Sequence, residues 1–166
     1  MSIPGVPHTE SHGKVGCRPS RSAKQRFRRK LKKLTSRKRA GDFEDIVASI
    51  NRVTVGWINY YCIANMKKFI EETQMWLQRR LRQMIWKRWK RVRTRYRMLR
   101  KYGISHDEAL KLAASRKGYW NNSKTPALHR ALSNERLLKW GLRNLNLRLK
   151  ASQFRFDYKL KRYLNY

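Results

Sequence analysis

The chain has 166 residues, enough for one domain or two small ones, and sets 42 Lys and Arg against 10 Asp and Glu, a formal net charge of +32. Self-repulsion at that level opposes compaction unless a polyanion or counterions offset it, and solubility alone needs far less charge. With 40% hydrophobic residues, 6 Trp, 8 Tyr and 5 Phe, the composition excludes a merely disordered cationic tail over most of the length.

Residues 1–18 hold Pro4, Pro7, Gly5, Gly13 and Gly16 among few apolar groups and read as a flexible N-terminal arm. They contain no apolar core of a signal peptide. Pro19-Ser20 opens a first helix, Arg21 to Thr35, in which Phe27, Leu31 and Leu34 form a single apolar stripe. From Arg18 to Arg39 there are twelve basic residues and no acidic one. Gly41 breaks this helix and Asp42 can cap the next. Phe43, Ile46, Val47, Ile50, Val53, Trp57, Ile58 and Tyr61 then recur at helical spacing, with Glu44 and Asp45 in the first turn where the helix dipole favours them. Arg52 is the one basic residue between Ala40 and Met66, so this second helix reads as the buried element. Gly56 inside it costs about 1 kcal/mol of helix propensity relative to Ala, for which close approach of a neighbouring helix would compensate.

A third stripe runs through Met66, Ile70, Thr73, Leu77, Leu81, Ile85, Trp89, Val92, Tyr96 and Leu99 with no Gly or Pro before Gly103. Unbroken, it would make one helix of roughly 50 Å. Its second half, Arg79 to Lys101, again carries twelve basic residues and no acid. Ser105 and Glu108 then form a capping-box pair for a further helix. Lys117 to Pro126 reads as a loop, and Pro126 to Leu132 and Ser133 to Trp140 as a helical pair stopped by Gly141. From Asn144 apolar and basic residues alternate, which does not choose between strand, helix and irregular chain. The expectation is an all-α fold: a flexible arm (1–18), a basic three-helix bundle (19–102), a smaller helical appendage (103–148) and a tail (149–166).

The two basic runs point to nucleic acid. Lys and Arg contacts to a dense row of phosphates release counterions, so such binding is strong and salt-dependent. A membrane surface would want one helix basic on one face and strongly apolar on the other. Here the cations fall in two separate runs with Trp and Tyr spread between them, so no membrane partner is expected. A single charged helix face usually means only solvation; two acid-free runs of twelve argue against that. The candidate contact residues are Lys24, Arg26, Arg28, Arg29, Lys32, Lys33 and Arg37 in the first run. In the second they are Arg79, Arg80, Arg82, Trp86, Lys87, Arg88, Arg91 and Arg95. Trp89 sits on the apolar stripe and reads as core. Trp86 lies off it and could stack on a base or anchor a second interface. In Gly56-Trp57-Ile58-Asn59-Tyr60-Tyr61, Trp57 and Tyr61 face the core while Asn59 and Tyr60 do not; a tight helix–helix packing point is the commoner meaning of such a cluster.

Catalytic and metal readings are thin. His8, His12 and Cys17 lack a fourth ligand, and the adjacent carboxylates Glu71-Glu72 and Asp107-Glu108 point in different directions on a helix. No P-loop, zinc-protease or nucleophile–base spacing occurs, so neither catalysis nor a cofactor nor a metal is expected. Cys17 and Cys62 fit no paired motif, which suits a reducing intracellular setting, cytoplasmic or an organelle matrix.

Three segments in order resemble the maturase-specific domain of group II intron reverse transcriptases. They are Ser22 to Arg37; Gly56 to Tyr61, with Phe69 and Trp76 to Arg82; and Lys117 to Trp120, with Leu132 to Leu137 and Gly141-Leu142. The second is the most specific, and the likeness runs from about residue 15 to about residue 148. The resemblance implies a helical thumb that helps bind intron RNA and the template–primer duplex and assists splicing, while the RNA does the chemistry. Lys24 to Arg39 and Arg79 to Lys101 would face nucleic acid. Gly56, Trp57, Asn59, Tyr60, Tyr61 and Trp120 would be the motif residues, with the region from Trp120 to Trp140 opening toward a DNA-target-binding part. The family's Tyr-x-Asp-Asp polymerase motif and the cysteine pairs of its HNH nuclease do not occur here. The chain therefore resembles the C-terminal part of a maturase standing alone. Structured intron RNA is the expected partner, with target DNA and a separately encoded reverse transcriptase part as further candidates; an inactive remnant is a third possibility. The alternative is a sequence-tolerant DNA-binding module of a mobile element. Helices over 105–116 and 126–140 would then mimic a helix-turn-helix and present Asn134 and Arg136 to a groove.

Overall fold

Ser20 sets the first helix. Its Oγ accepts from the Ala23 N–H at 3.2 Å and starts α1 (Arg21–Leu34). The stripe of Ala23, Phe27 and Leu31 is buried while the remaining faces carry cations. In this computed structural model, which describes residues 8–11 and 14–164, Thr35 closes α1 by donating its hydroxyl to the Leu31 carbonyl at 2.7 Å. Gly41, at φ 103°, supplies the left-handed turn into α2 (Phe43–Tyr60). Asp42 stands at the cap position, but its side chain makes no capping bond; Glu44 and Asp45 complement the dipole instead.

The third stripe does not form one helix. It divides into α3 (Lys67–Arg88) and α4 (Val92–Lys101). Trp89 leaves helical geometry (ψ 69°), and Arg95 Nε donates to its freed carbonyl at 2.8 Å. The turn lets Tyr102 lie against the Trp89 ring, centroids 6.1 Å apart, and buries Leu99, whereas Val92 is exposed. Side-chain packing thus overrides a local sequence that contains no helix breaker.

Gly103, at φ 83°, ends α4, and α5 (His106–Ala113) packs back on it. Ser105 and Glu108 do not form a capping box. Ser105 makes no side-chain bond to the backbone, and its hydroxyl donates to Glu108 at 3.1 Å while Arg130 holds the same carboxylate. The segment read as a loop contains a short helix, α6 (Tyr119–Asn122), packed on α3. Then come α7 (Pro126–Ala131) and α8 (Asn134–Lys139), the latter capped by Ser133 and stopped at Gly141 (φ 93°).

The tail is helical: α9 (Leu145–Leu164) returns to pack on α2 and α3. Leu145, Leu149 and Ser152 are buried, and Gln74 on α3 accepts the Leu145 N–H at 3.1 Å. The body is therefore all-α, a three-helix bundle of α1, α2 and α3 with helical additions, one of which (α9) shares the bundle core. Residues 1–7, 12 and 13 of the expected arm lie outside the described residues. The rest of the arm includes a short antiparallel hairpin, β1 (His8–Ser11) with β2 (Lys14–Cys17), where no regular element was expected. Its end is tied to the body by the Asn65 N–H, which donates to the Cys17 carbonyl at 2.8 Å.

Candidate nucleic-acid interface

Twelve cations in each run do not make two equal faces. In the second run, arginines are largely spent on carbonyls. Arg82 is 2% exposed. It donates to the Leu132 carbonyl at 2.8 Å, to His129 Nε2 at 3.2 Å and to Asn134 Oδ1, pinning α3 to α7 and α8. Arg88 donates to the Gly41 carbonyl at 2.7 Å and Arg95 to that of Trp89. Arg79 donates to the Trp120 carbonyl at 3.1 Å and to Ser123 Oγ at 3.3 Å, and its guanidinium lies 3.6 Å from the Trp120 ring centroid. Lys87 is half-buried; Arg91 is exposed on the link before α4.

Two expected contact residues are corrected outright. Trp86 is 0% exposed and cannot stack on a base; Arg95 covers it at 4.8 Å and Trp89 meets it edge-on. Arg82 is unavailable for the same reason of burial. The two residues named for DNA recognition are both engaged within the fold: Asn134 Oδ1 accepts from Arg82, while Arg136 lies over Tyr102 at 4.3 Å and donates to the Ala131 carbonyl.

The first run presents the open face. Arg26, Arg28, Arg29, Lys32, Lys33 and Arg37 are exposed and Lys24 half-buried. Lys24 and Arg28 sit over the Phe69 ring at 5.5 and 5.1 Å, and Arg28 meets Glu72 at 3.3 Å. Arg26 turns to the other side of α1 with Lys30, where a shallow groove against α2 runs past Arg52 and Gly56. Arg29, Lys32, Lys33, Ser36, Arg37, Lys38, Arg80 and Gln83 line a continuous cleft where α1 meets α3. Arg80 fixes that junction, donating to Thr35 Oγ1 at 2.6 Å, to the Thr35 carbonyl at 3.1 Å and to the Lys32 carbonyl at 3.2 Å. Burial lowers the pKa of Arg79, Arg80 and Arg82, yet a guanidinium stays charged at neutral pH. Among the described residues two ion pairs occur, Arg28–Glu72 and Arg130–Glu108, so the C-terminal half of α1 carries positive charge with no acid to neutralise it.

The central motif holds the scaffold. Trp57 stacks on Phe27 (4.4 Å, 16°) and touches Phe69 at 5.4 Å. Asn59 Oδ1 accepts from Arg148 at 3.0 Å and from Ser152 at 2.9 Å, and so anchors α9. Tyr61 is buried, and Tyr60, 54% exposed, stands edge-on to it. Gly56 is not a close packing point: a Cβ there would meet nothing within 4 Å. Trp120 is half-buried beside Arg79. Sequence reasoning singled out neither Gln83 nor Lys38 as a contact, although both lie in the two runs set to face nucleic acid. It named Trp76 without placing it in a site, although Trp76, Arg80 and Gln83 recur at i, i+4 and i+7 on α3.

Fold and face together define a strongly basic, all-α domain with a rigid cationic cleft between two helices. Residues 24–103, from α1 to just past α4, match the model of the group II intron maturase-specific domain. A search of the curated proteins finds no match.

Proposed function

We propose that the chain is an RNA-binding maturase domain that grips folded group II intron RNA and assists its folding and splicing, contributing binding and not chemistry. The observation that carries this reading is the acid-free cationic cleft of Arg29, Lys32, Lys33, Arg37 and Lys38, set against Arg80 on a segment that matches the maturase-specific family. Arg29, Lys32 and Lys33, 3 and 4 residues apart, share a face of α1, and Arg37 and Lys38 extend it on the turn that follows, so the set can follow a run of phosphates along one strand. Arg80, held by three hydrogen bonds, keeps the cleft at a fixed width.

The test is competition at near-physiological salt. Labelled group II intron RNA bound to the full chain is challenged with equal mass of transfer RNA and of random duplex DNA. Intron RNA is expected to outcompete both by about tenfold, or about 1.4 kcal/mol. Equal competition by all three would reduce the activity to generic polycation binding. A Lys33→Glu, Arg37→Glu double variant is expected to lose intron affinity; the same loss from changes scattered over Arg155 and Lys159 in α9 would show the α1 face to be wrongly assigned.

A further inference from the structure

Next to the phosphate-tracking cleft the same two helices and α6 enclose a second space, of about 420 Å³, lined by Arg28, Lys32, Trp76, Arg80, Gln83 and Trp120. A space of this size falls in the range of small-ligand clefts. Two half-buried indoles line it, each carrying a guanidinium on one face: Arg80 lies 5.2 Å from Trp76, and Arg79 3.6 Å from Trp120. Those arginines are themselves tied to backbone carbonyls, so both rings are held before any ligand arrives. Gln83 lines both this space and the neighbouring cationic cleft. Gln83 is 8% exposed as a residue, but its amide atoms are not among the sealed, unpartnered polar atoms of the described residues, which lie on Gln74, Trp86 and Arg148, so the amide end opens on the cleft. It offers one donor and one acceptor side by side, the complement of a nucleobase edge.

We propose that this cleft takes one unpaired nucleotide of the bound RNA. Its base would stack against Trp76 or Trp120 and be read by the Gln83 amide, and its flanking phosphates would lie on Arg28 and Lys32. The proposal rests on the RNA-binding reading above and adds a recognition element to it. Paired bases are stacked and their edges are taken, and the deep, narrow groove of an RNA helix keeps side chains from them. Only a bulged, looped or terminal base can enter a space walled by indoles. The cleft therefore selects for folded RNA with unpaired positions over continuous duplex, which the cations alone cannot do.

The experiment uses the full chain and two RNA hairpins of identical stem, one fully paired and one with a single-nucleotide bulge, in fluorescence anisotropy titrations at near-physiological salt. The bulged hairpin is expected to bind roughly fivefold tighter or better, the low end of what base–aromatic stacking supplies. The Trp76→Leu, Trp120→Leu double variant is expected to abolish that preference while leaving affinity for the paired hairpin and the helical circular dichroism unchanged; a retained preference overturns the cleft. Gln83→Leu, close in volume, is expected to keep a preference for the bulge but lose discrimination among the four bulged bases. A photoreactive 5-iodouracil at the bulge of the wild-type complex is expected to crosslink to Trp76 or Trp120, a readout that needs no variant. Equal binding of both hairpins by the wild type, or crosslinking to α4 or α9, overturns the nucleotide cleft and leaves the RNA-binding reading standing. If neither hairpin nor intron RNA outcompetes duplex DNA, both fail together.

Discussion

Arg80 and Arg82 stand two positions apart on α3 and do different work. Arg80 borders the open cleft, whereas Arg82 is enclosed and serves the Leu132 carbonyl, His129 and Asn134. Arg82→Met removes these bonds and leaves a buried carbonyl without its donor, which costs about 1–3 kcal/mol. Urea denaturation should show that loss, while RNA affinity per folded molecule stays unchanged; a drop in affinity without a drop in stability would return Arg82 to the binding face. His129 adds a pH signature. Arg82 can only donate, so His129 Nε2 must accept and the ring must be neutral. Burial, then the charges of Arg82 and Arg79, hold its pKa below the ordinary histidine value of 6.5. The unfolded chain therefore takes up a proton at higher pH than the folded one. Stability contributed here is full above about pH 6.5 and declines as pH falls from there toward the lowered folded value. His129→Gln, which can still accept, should flatten that part of the curve in thermal melts between pH 5 and 7. At this scale the sequence disclosed which residues are cations but not how they are used. Nothing local separates Arg82 from Lys33, because the carbonyls that claim Arg82 lie fifty residues onward, at Leu132. Gln83 was silent for the same reason: an amide gains meaning only from the cleft around it.

Among the helices, α1 and α2 were legible nearly to the residue, since Ser20, Gly41 and the apolar stripes act locally. The α3–α4 break was not, because it is made by Arg95 reaching back to the Trp89 carbonyl and by the stacking of Tyr102 on Trp89. The tail was undecided because its alternating pattern fits several structures; Asn59, Gln74 and Asn51 settle it from other helices. Asn51 Nδ2 donates to the Gly141 carbonyl at 2.7 Å and its Oδ1 accepts the Arg143 N–H at 3.0 Å, steering the chain into α9. This helix has two unequal halves. Leu145 and Leu149 are in the core, but Phe154 is 74% exposed and Tyr158, Leu160 and Tyr163 are exposed beyond it. Leu149→Ala should cost about 2–4 kcal/mol, as burial and a residual cavity require. Phe154→Ala should change stability by no more than about 0.5 kcal/mol. Equal effects in chemical denaturation would mean that the distal half is covered in solution.

Across the whole molecule, +32 charges are held together by a core of Leu, Ile and aromatic side chains, with two ion pairs among the described residues to relieve them. The total was plain in the composition, but its distribution was not: Arg79, Arg80, Arg82 and Arg95 of the second run are drawn against the fold, while Arg88, Arg91, Arg93, Arg97 and Arg100 stay exposed. Salt must then act in opposite directions on stability and on binding. Without RNA, raising ionic strength shortens the Debye length to about 10 Å at 0.1 M, screens the cations from one another and should raise the melting temperature. With RNA, the same salt competes for phosphates and weakens affinity. If the α1–α3 cleft is the contact surface, some six cations release counterions, and log K should fall with log salt at a slope of about −4 to −5. A slope near −10 would mean that α4 and α9 also lie on the RNA. Lys33→Glu should flatten the slope by about one contact and raise the salt-free melting temperature, since it removes a repelling cation; a lower melting temperature would show Lys33 to be part of the fold rather than of its open face.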